Sequence, residues 1–66
     1  MANRMWLPRD RDGNELWFGD TVVDPEGGSK YKVYRIVYSE IGTYIDVGPR
    51  EEYLLNPVDV VREGDG

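Results

Sequence analysis

The chain contains no cysteine and no histidine. Those two absences exclude disulfides, thiolate metal centres and imidazole acid–base chemistry. No apolar run approaches the roughly 18 residues of a membrane span. The start, from Met1 to Pro8, carries a single cation, Arg4, and no apolar stretch long enough for the core of a signal peptide. These features, with cysteine-free composition suited to a reducing compartment, predict a soluble, cytoplasmic protein without a membrane partner. Stability must come from packing, or from a partner, because no covalent or metal staple is present.

What is present is a short acidic chain of 66 residues with a net charge of −5. One domain over residues 1–66 is expected, and a chain of this size buries only about 60% of the surface that its unfolded form exposes. The charge is unevenly placed. Residues 1–39 hold six acids and six bases, whereas residues 40–66 hold seven acids against Arg50 and Arg62. That balance argues against phosphate-backbone binding, whose affinity depends on Lys and Arg releasing counterions. Solubility is the plain explanation of a moderate net charge.

Apolar residues alternate with a period of two and never sustain a helical repeat, so the chain reads as all-β. Asp10-Arg11-Asp12-Gly13-Asn14 is a dense turn signal. Residues 5–7 and 15–18 on its two sides form a short hairpin or an irregular arm, residues 1–15 in all, whose regularity Pro8 limits. Residues 21–24 read as a strand closed by the turn Pro25-Glu26-Gly27-Gly28. The longest strand candidate is 30–38. Its two faces, Tyr31, Val33, Arg35, Val37 and Lys32, Tyr34, Ile36, Tyr38, are both mixed, which predicts a strongly bent strand of the kind small barrels need. A loop at 39–42 leads to a returning strand at 43–47, and a further short strand at 50–54 carries Tyr53. Leu55-Asn56-Pro57 turns the chain into a last strand at 58–61, and residues 63–66 read as a frayed, Gly-rich tail. The expected core is Val22, Val33, Ile36, Ile45, Val47, Val58 and Val60.

Gly19-Asp20-Thr21-Val22 leading into the first strand, the turn at 25–28, and Asn56-Pro57-Val58-Asp59-Val60 leading into the last resemble a small SH3-like barrel of KOW type. Residues 10–22 also resemble the start of short uncharacterised proteins of phages and mobile elements. The resemblance covers about residues 10–62 and implies an antiparallel barrel of four or five short strands with an irregular N-terminal arm. It also implies a binding role. KOW-type members that bind RNA carry basic loops, however, and the matching half of this chain is acidic. Peptide-binding SH3 domains place an acidic loop beside aromatics, yet the tandem aromatic motif of their first loop is lacking here.

No nucleophile has a base beside it in the pattern, so no enzyme is expected. Asp10, Asp12 and Asn14 have the alternate oxygens of the front half of a calcium loop. Position twelve of such a loop falls on Thr21 where a bidentate Glu is needed, and an Asx turn is the simpler reading; neither a metal nor a cofactor is expected. Glu51 and Glu52 are adjacent, and adjacent strand residues point to opposite faces. The eight aromatic residues exceed what a core this small can hide, so Trp17, Tyr34, Tyr38 and Tyr44 are candidate contact residues on a partner-binding surface, with Glu51 and Glu52 orienting the partner. The leading expectation is a non-enzymatic protein-interaction module, an accessory protein of a phage or mobile element that binds a host or phage protein. A second is an acidic inhibitor that imitates nucleic acid, using Glu40, Asp46, Glu51, Glu52, Asp59 and Glu63. A third is single-strand binding on Lys30, Tyr31, Lys32, Tyr34 and Arg35. Homo-oligomerisation stays open.

Overall fold

The computed structural model describes residues 7–63. The expected parts of Met5 and Trp6 in the arm, and of residues 64–66 in the tail, lie outside the described residues. Among the described residues six strands form: β1 (Thr21–Val23), β2 (Lys30–Lys32), β3 (Arg35–Ser39), β4 (Gly42–Asp46), β5 (Leu54–Leu55) and β6 (Val61–Arg62), with one 3-10 turn at Pro57–Asp59. They make two antiparallel three-stranded sheets, ordered β2-β1-β6 and β3-β4-β5. The all-β antiparallel expectation holds. The strand count does not, since six strands replace four or five, and among the described residues no ladder joins the two sheets into a closed barrel.

The extra strand comes from the expected run at 30–38, which divides. Val33 leaves β2 because its backbone is taken by the segment before β1: its N–H donates to the Asp20 carbonyl at 2.9 Å, and its carbonyl accepts from Gly19 N–H at 2.7 Å. Tyr34 N–H then donates to the Asp46 carbonyl at 2.8 Å, although the ladder partner of Asp46 is Arg35. Two residues thus oppose one. Such a bulge bends a strand and increases its twist, so a single chain run serves both sheets. The mixed faces of 30–38 are the sequence trace of that change of sheet. Beyond the bend β3 and β4 form a hairpin closed by the Ser39 and Gly42 pair, with Glu40 and Ile41 as its two-residue loop.

The core between the sheets is Leu16, Val22, Val33, Ile45, Val47 and Val60, flanked by half-buried Tyr31, Ile36 and Leu55. Val58, expected inside, is 56% exposed. The reason is local: Asn56 caps the 3-10 turn, its side-chain oxygen accepting from Val58 N–H at 3.2 Å. That turn replaces the first half of the expected last strand and rotates Val58 outward.

The described part of the N-terminal arm makes a short hairpin in which Arg9 bridges to Glu15 and Leu16 N–H donates to the Pro8 carbonyl at 2.8 Å. Asp10 organises it. One carboxylate oxygen accepts from the N–H groups of Asp12 and Asn14 at 2.9 and 2.8 Å, and the other accepts from the Asn14 side chain at 3.2 Å and from Arg62 N–H at 2.6 Å. The Asx turn is therefore also a staple to β6. Burial pushes the Asp10 pKa up, but those hydrogen bonds to the ionised form outweigh it and hold it below its ordinary value.

Candidate protein-binding surface

The turn ahead of β1 is built to show its side chains. Asp20 N–H donates to the Trp17 carbonyl at 3.1 Å, and the Asp20 carboxylate accepts from Trp17 N–H at 2.8 Å. Gly19 takes the third position with φ +94°, a conformation that a side chain disfavours. With Leu16 buried just upstream, the backbone is fixed on both sides and the next two side chains are left outside. Trp17 and Phe18 are accordingly 53% and 59% exposed, their rings tilted at 5.3 Å between centroids.

The hydrogen bonds from Gly19 and Asp20 to Val33 place this turn beside the bend into β3. Trp17 and Phe18 there meet Tyr34, Arg35, Ile36 and Tyr38 around a cleft of about 400 Å³. Tyr34 and Tyr38 are 42% and 40% exposed, whereas Ile36 packs against the core and floors the cleft. The Lys32 ammonium lies 5.8 Å from the centroid of the Tyr34 ring, within cation–π range.

Three of the candidate contact residues, Trp17, Tyr34 and Tyr38, are thus brought together. Tyr44 is not. It pairs with Val37 across the hairpin, whereas Ile36 pairs with Ile45 and Tyr38 with Thr43. Directly paired residues share a face and neighbours alternate, so Tyr44 lies on the other side of the β3–β4 hairpin, half-buried. Phe18 and Ile36 also line the cleft, although neither is among the candidate contact residues that the sequence offers, and Ile36 reads there as core. The signal for Phe18 is its place in the Trp17-Phe18-Gly19-Asp20 turn, where an exposed pair is the natural outcome.

Glu51 and Glu52 sit in the loop between β4 and β5, both exposed. This loop folds over Asp46, whose position in the ladder points it away from the core but which is only 2% exposed. One Asp46 carboxylate oxygen accepts from Gly48 N–H and Tyr53 N–H, each at 3.0 Å, and the other from Arg35 Nε and Nη2 at 2.9 and 2.6 Å. The N–H groups of Tyr53 and Gly48, then the Arg35 guanidinium, lower the Asp46 pKa to about 2. Arg35 also reaches Glu52 at 3.4 Å. It therefore links the cleft to the acidic loop.

These pairings redistribute the charge that the sequence shows. Among the acids proposed to imitate nucleic acid, Asp46 is buried, Glu52 shares Arg35, and Glu63 pairs with Lys30 at 2.8 Å. Two of the three cations expected to flank a single strand are likewise in ion pairs: Lys30 with Glu63, and Arg35 with Asp46 and Glu52. Tyr31 turns from Tyr34 towards Tyr53, with 6.0 Å between ring centroids. No helix among the described residues is long and apolar enough to cross a membrane. Comparison of the chain with protein-family models, with curated proteins and with solved structures found no match in any of the three.

Proposed function

We propose that the chain is a non-enzymatic protein-binding module that seats its partner on the cleft of Trp17, Phe18, Tyr34 and Tyr38. The observation that carries this reading is convergence: four aromatic side chains, each 40–59% exposed, surround one apolar cleft. Large aromatics combine apolar area with low side-chain entropy, and Trp and Tyr dominate the residues that matter most in interfaces. Single exposed apolar residues are ordinary on a protein surface, but four large aromatics gathered around one cleft mark an interaction site. The cleft is also fixed in advance, since the turn at 17–20 is closed by its own hydrogen bonds and docked on Val33, which limits the ordering cost of association.

An SH3-like barrel is the proposed fold type. Its support is the run from Lys30 to Ser39 that passes through a bulge from one antiparallel sheet into the other, the device by which strands turn the corners of small orthogonal barrels. A cytoplasmic accessory role in a phage or mobile element, with a host or phage protein as partner, completes the proposal. The rival reading, an acidic mimic of nucleic acid, has less in its favour because half of its six acids are buried or paired.

The test is co-purification with tagged protein from host lysate, comparing wild type with Trp17→Ala and Tyr34→Ala, each checked for retained fold by circular dichroism. Loss of the same partner from both folded variants supports the cleft. A partner that both retain, but that is released by salt or by the Glu51→Lys, Glu52→Lys double variant, moves the reading to the acidic rival.

A further inference from the structure

The edge of β3 runs beside the cleft, and the direction of its backbone groups follows from β4. Val47 N–H donates to the Tyr53 carbonyl at 2.9 Å, in line with the β4–β5 register, so the backbone groups of Ile45 and Val47 face β5. Such groups alternate along a strand, hence those of Tyr44 and Asp46 face β3. Their ladder partners Val37 and Arg35 turn N–H and C=O back towards β4, and the bond from Tyr34 N–H to the Asp46 carbonyl agrees. Ile36, between them, therefore directs its own N–H and C=O to the open side of the sheet. Neither group has a backbone partner among the described residues.

The other sheet edges among the described residues are short or guarded. β5 and β6 have two residues each, and β2 has three, with Lys30 and Lys32 at its ends. Short length and lysine are common means of keeping an edge from pairing. β3 has five residues, Ile36, Val37 and Tyr38 at its centre and no proline, and its bulge lies before the open stretch. An outward N–H and C=O on one residue match the two complementary groups of another extended backbone. The cleft sets the side chain that comes with it: Arg35, the charged residue of its lining, is already paired with Asp46 and Glu52, so the lining favours an apolar group.

We infer that binding is by strand addition: an extended segment of a partner protein lies along the edge of β3, pairs with the backbone of Ile36 and places an apolar side chain in the cleft. The inference rests on the cleft being the partner site. In the antiparallel pairing that both sheets use, a residue directly opposite Ile36 shares its face, where Ile36 floors the cleft, and the residues on either side point to the other face. The segment recognised therefore alternates polar and apolar residues. Main-chain bonds supply affinity in this mode and the pocket supplies selection, so a short peptide of that pattern is a sufficient probe.

The full-length, isotope-labelled chain is titrated with acetyl-Lys-Thr-Phe-Thr-Val-Thr-Lys-amide, following amide and indole shifts by NMR. Two N-methylated forms accompany it, one methylated on the Phe and Val nitrogens and the other on the nitrogens of two Thr residues. The parent peptide is expected to shift the Ile36 amide and the Trp17 indole saturably. Methylation on Phe and Val should weaken binding at least about tenfold and methylation on Thr less than about threefold, since only the former removes hydrogen bonds to β3. Loss on Thr methylation instead reports a parallel strand and keeps the inference. Equal affinity of the two methylated forms, or no saturable shift at millimolar peptide, would overturn strand addition. So would concentration-dependent shifts of Ile36 in the chain alone, which make a second copy the occupant. Binding that is lost in Trp17→Ala but indifferent to methylation overturns strand addition and leaves the cleft as the partner site. Methyl-sensitive binding that Trp17→Ala and Tyr34→Ala both retain overturns the cleft and, with it, the side chain assigned there.

Discussion

Arg35 and Asp46 stand opposite each other across the β3–β4 ladder, and their side chains close on one another, with Nε and Nη2 of the arginine donating to a single carboxylate oxygen at 2.9 and 2.6 Å. The other Asp46 oxygen is spent on the loop that follows. One carboxylate therefore couples the edge of the aromatic cleft, through Arg35, to the shape of the acidic loop. A lone buried carboxylate is costly, but one whose oxygens accept four N–H donors is satisfied.

The first prediction concerns pH. The Asp46 pKa stands at about 2 in the folded chain against an ordinary 3.8, and that of Asp10 is also lowered. Between the folded and unfolded values the unfolded chain binds more protons, so stability rises with pH across that window. The contribution of these carboxylates is present above about pH 4 and is lost as pH falls through about 2 for Asp46. Urea midpoints from pH 7 to pH 2 should fall on the acid side, and Asp46→Asn should both lower the midpoint at pH 7 and flatten the acid limb. An acid limb of unchanged slope in Asp46→Asn counts against this account.

Gly48 gives a steric prediction. Its substitution by alanine sets a Cβ against the Glu51 carbonyl, at 1.7 Å if nothing moves, so the loop has to open and its bonds to Asp46 lengthen. Overpacking of this kind costs about 1–3 kcal/mol. At Gly13, where φ is +89° but no atom lies within 4 Å of the added group, alanine carries only the backbone strain, about 1 kcal/mol. Chemical denaturation of the two variants should rank Gly48→Ala as the more damaging.

Much of the scaffold is legible in the chain because its causes are local. Gly19-Asp20 ahead of β1, the Ser39 to Gly42 hairpin and the mixed faces of 30–38 each carry their own turn or pattern. Val58 is a misreading of a signal that is present: Asn56-Pro57 starts a capped 3-10 turn, but the Val-x-Val spacing after it looks like strand. The burial of Asp46 has no local signal. It depends on Arg35, eleven residues upstream, and on N–H groups of a loop whose path is set by β5 pairing back on β4. The cleft is intermediate, since an excess of aromatics shows that some are exposed while only the bend at Tyr34 and the β3–β4 register show that Tyr34 and Tyr38 join Trp17 and that Tyr44 does not.

Leu16 and Val58 test the corrected core. Leu16 is fully buried where the arm meets the strands, and Val58 is 56% exposed. Leu16→Ala should cost about 2–5 kcal/mol, a large part of the stability expected of so short a chain. Val58→Ala should stay within about 0.5 kcal/mol of wild type, as surface substitutions do. Calorimetry or urea melts of both variants decide it, and a Val58→Ala loss as large as that of Leu16→Ala would restore the straight last strand.

The sharpest separation of folding from binding lies between Tyr34 and Tyr44. Tyr34 is 42% exposed at the bend and lines the cleft, so Tyr34→Ala should leave most of the stability in place while weakening the partner by about 1–2 kcal/mol if it is an anchor. Tyr44 is half-buried on the opposite face of the hairpin, paired with Val37. Its loss removes cross-strand packing worth about 0.2–1 kcal/mol and should leave affinity at the wild-type value. Measuring unfolding and partner affinity for both variants gives four numbers with opposite patterns. Equal losses of affinity from the two would mean that the partner wraps both faces of the hairpin, and loss of affinity from Tyr44→Ala alone would move the binding surface off the cleft.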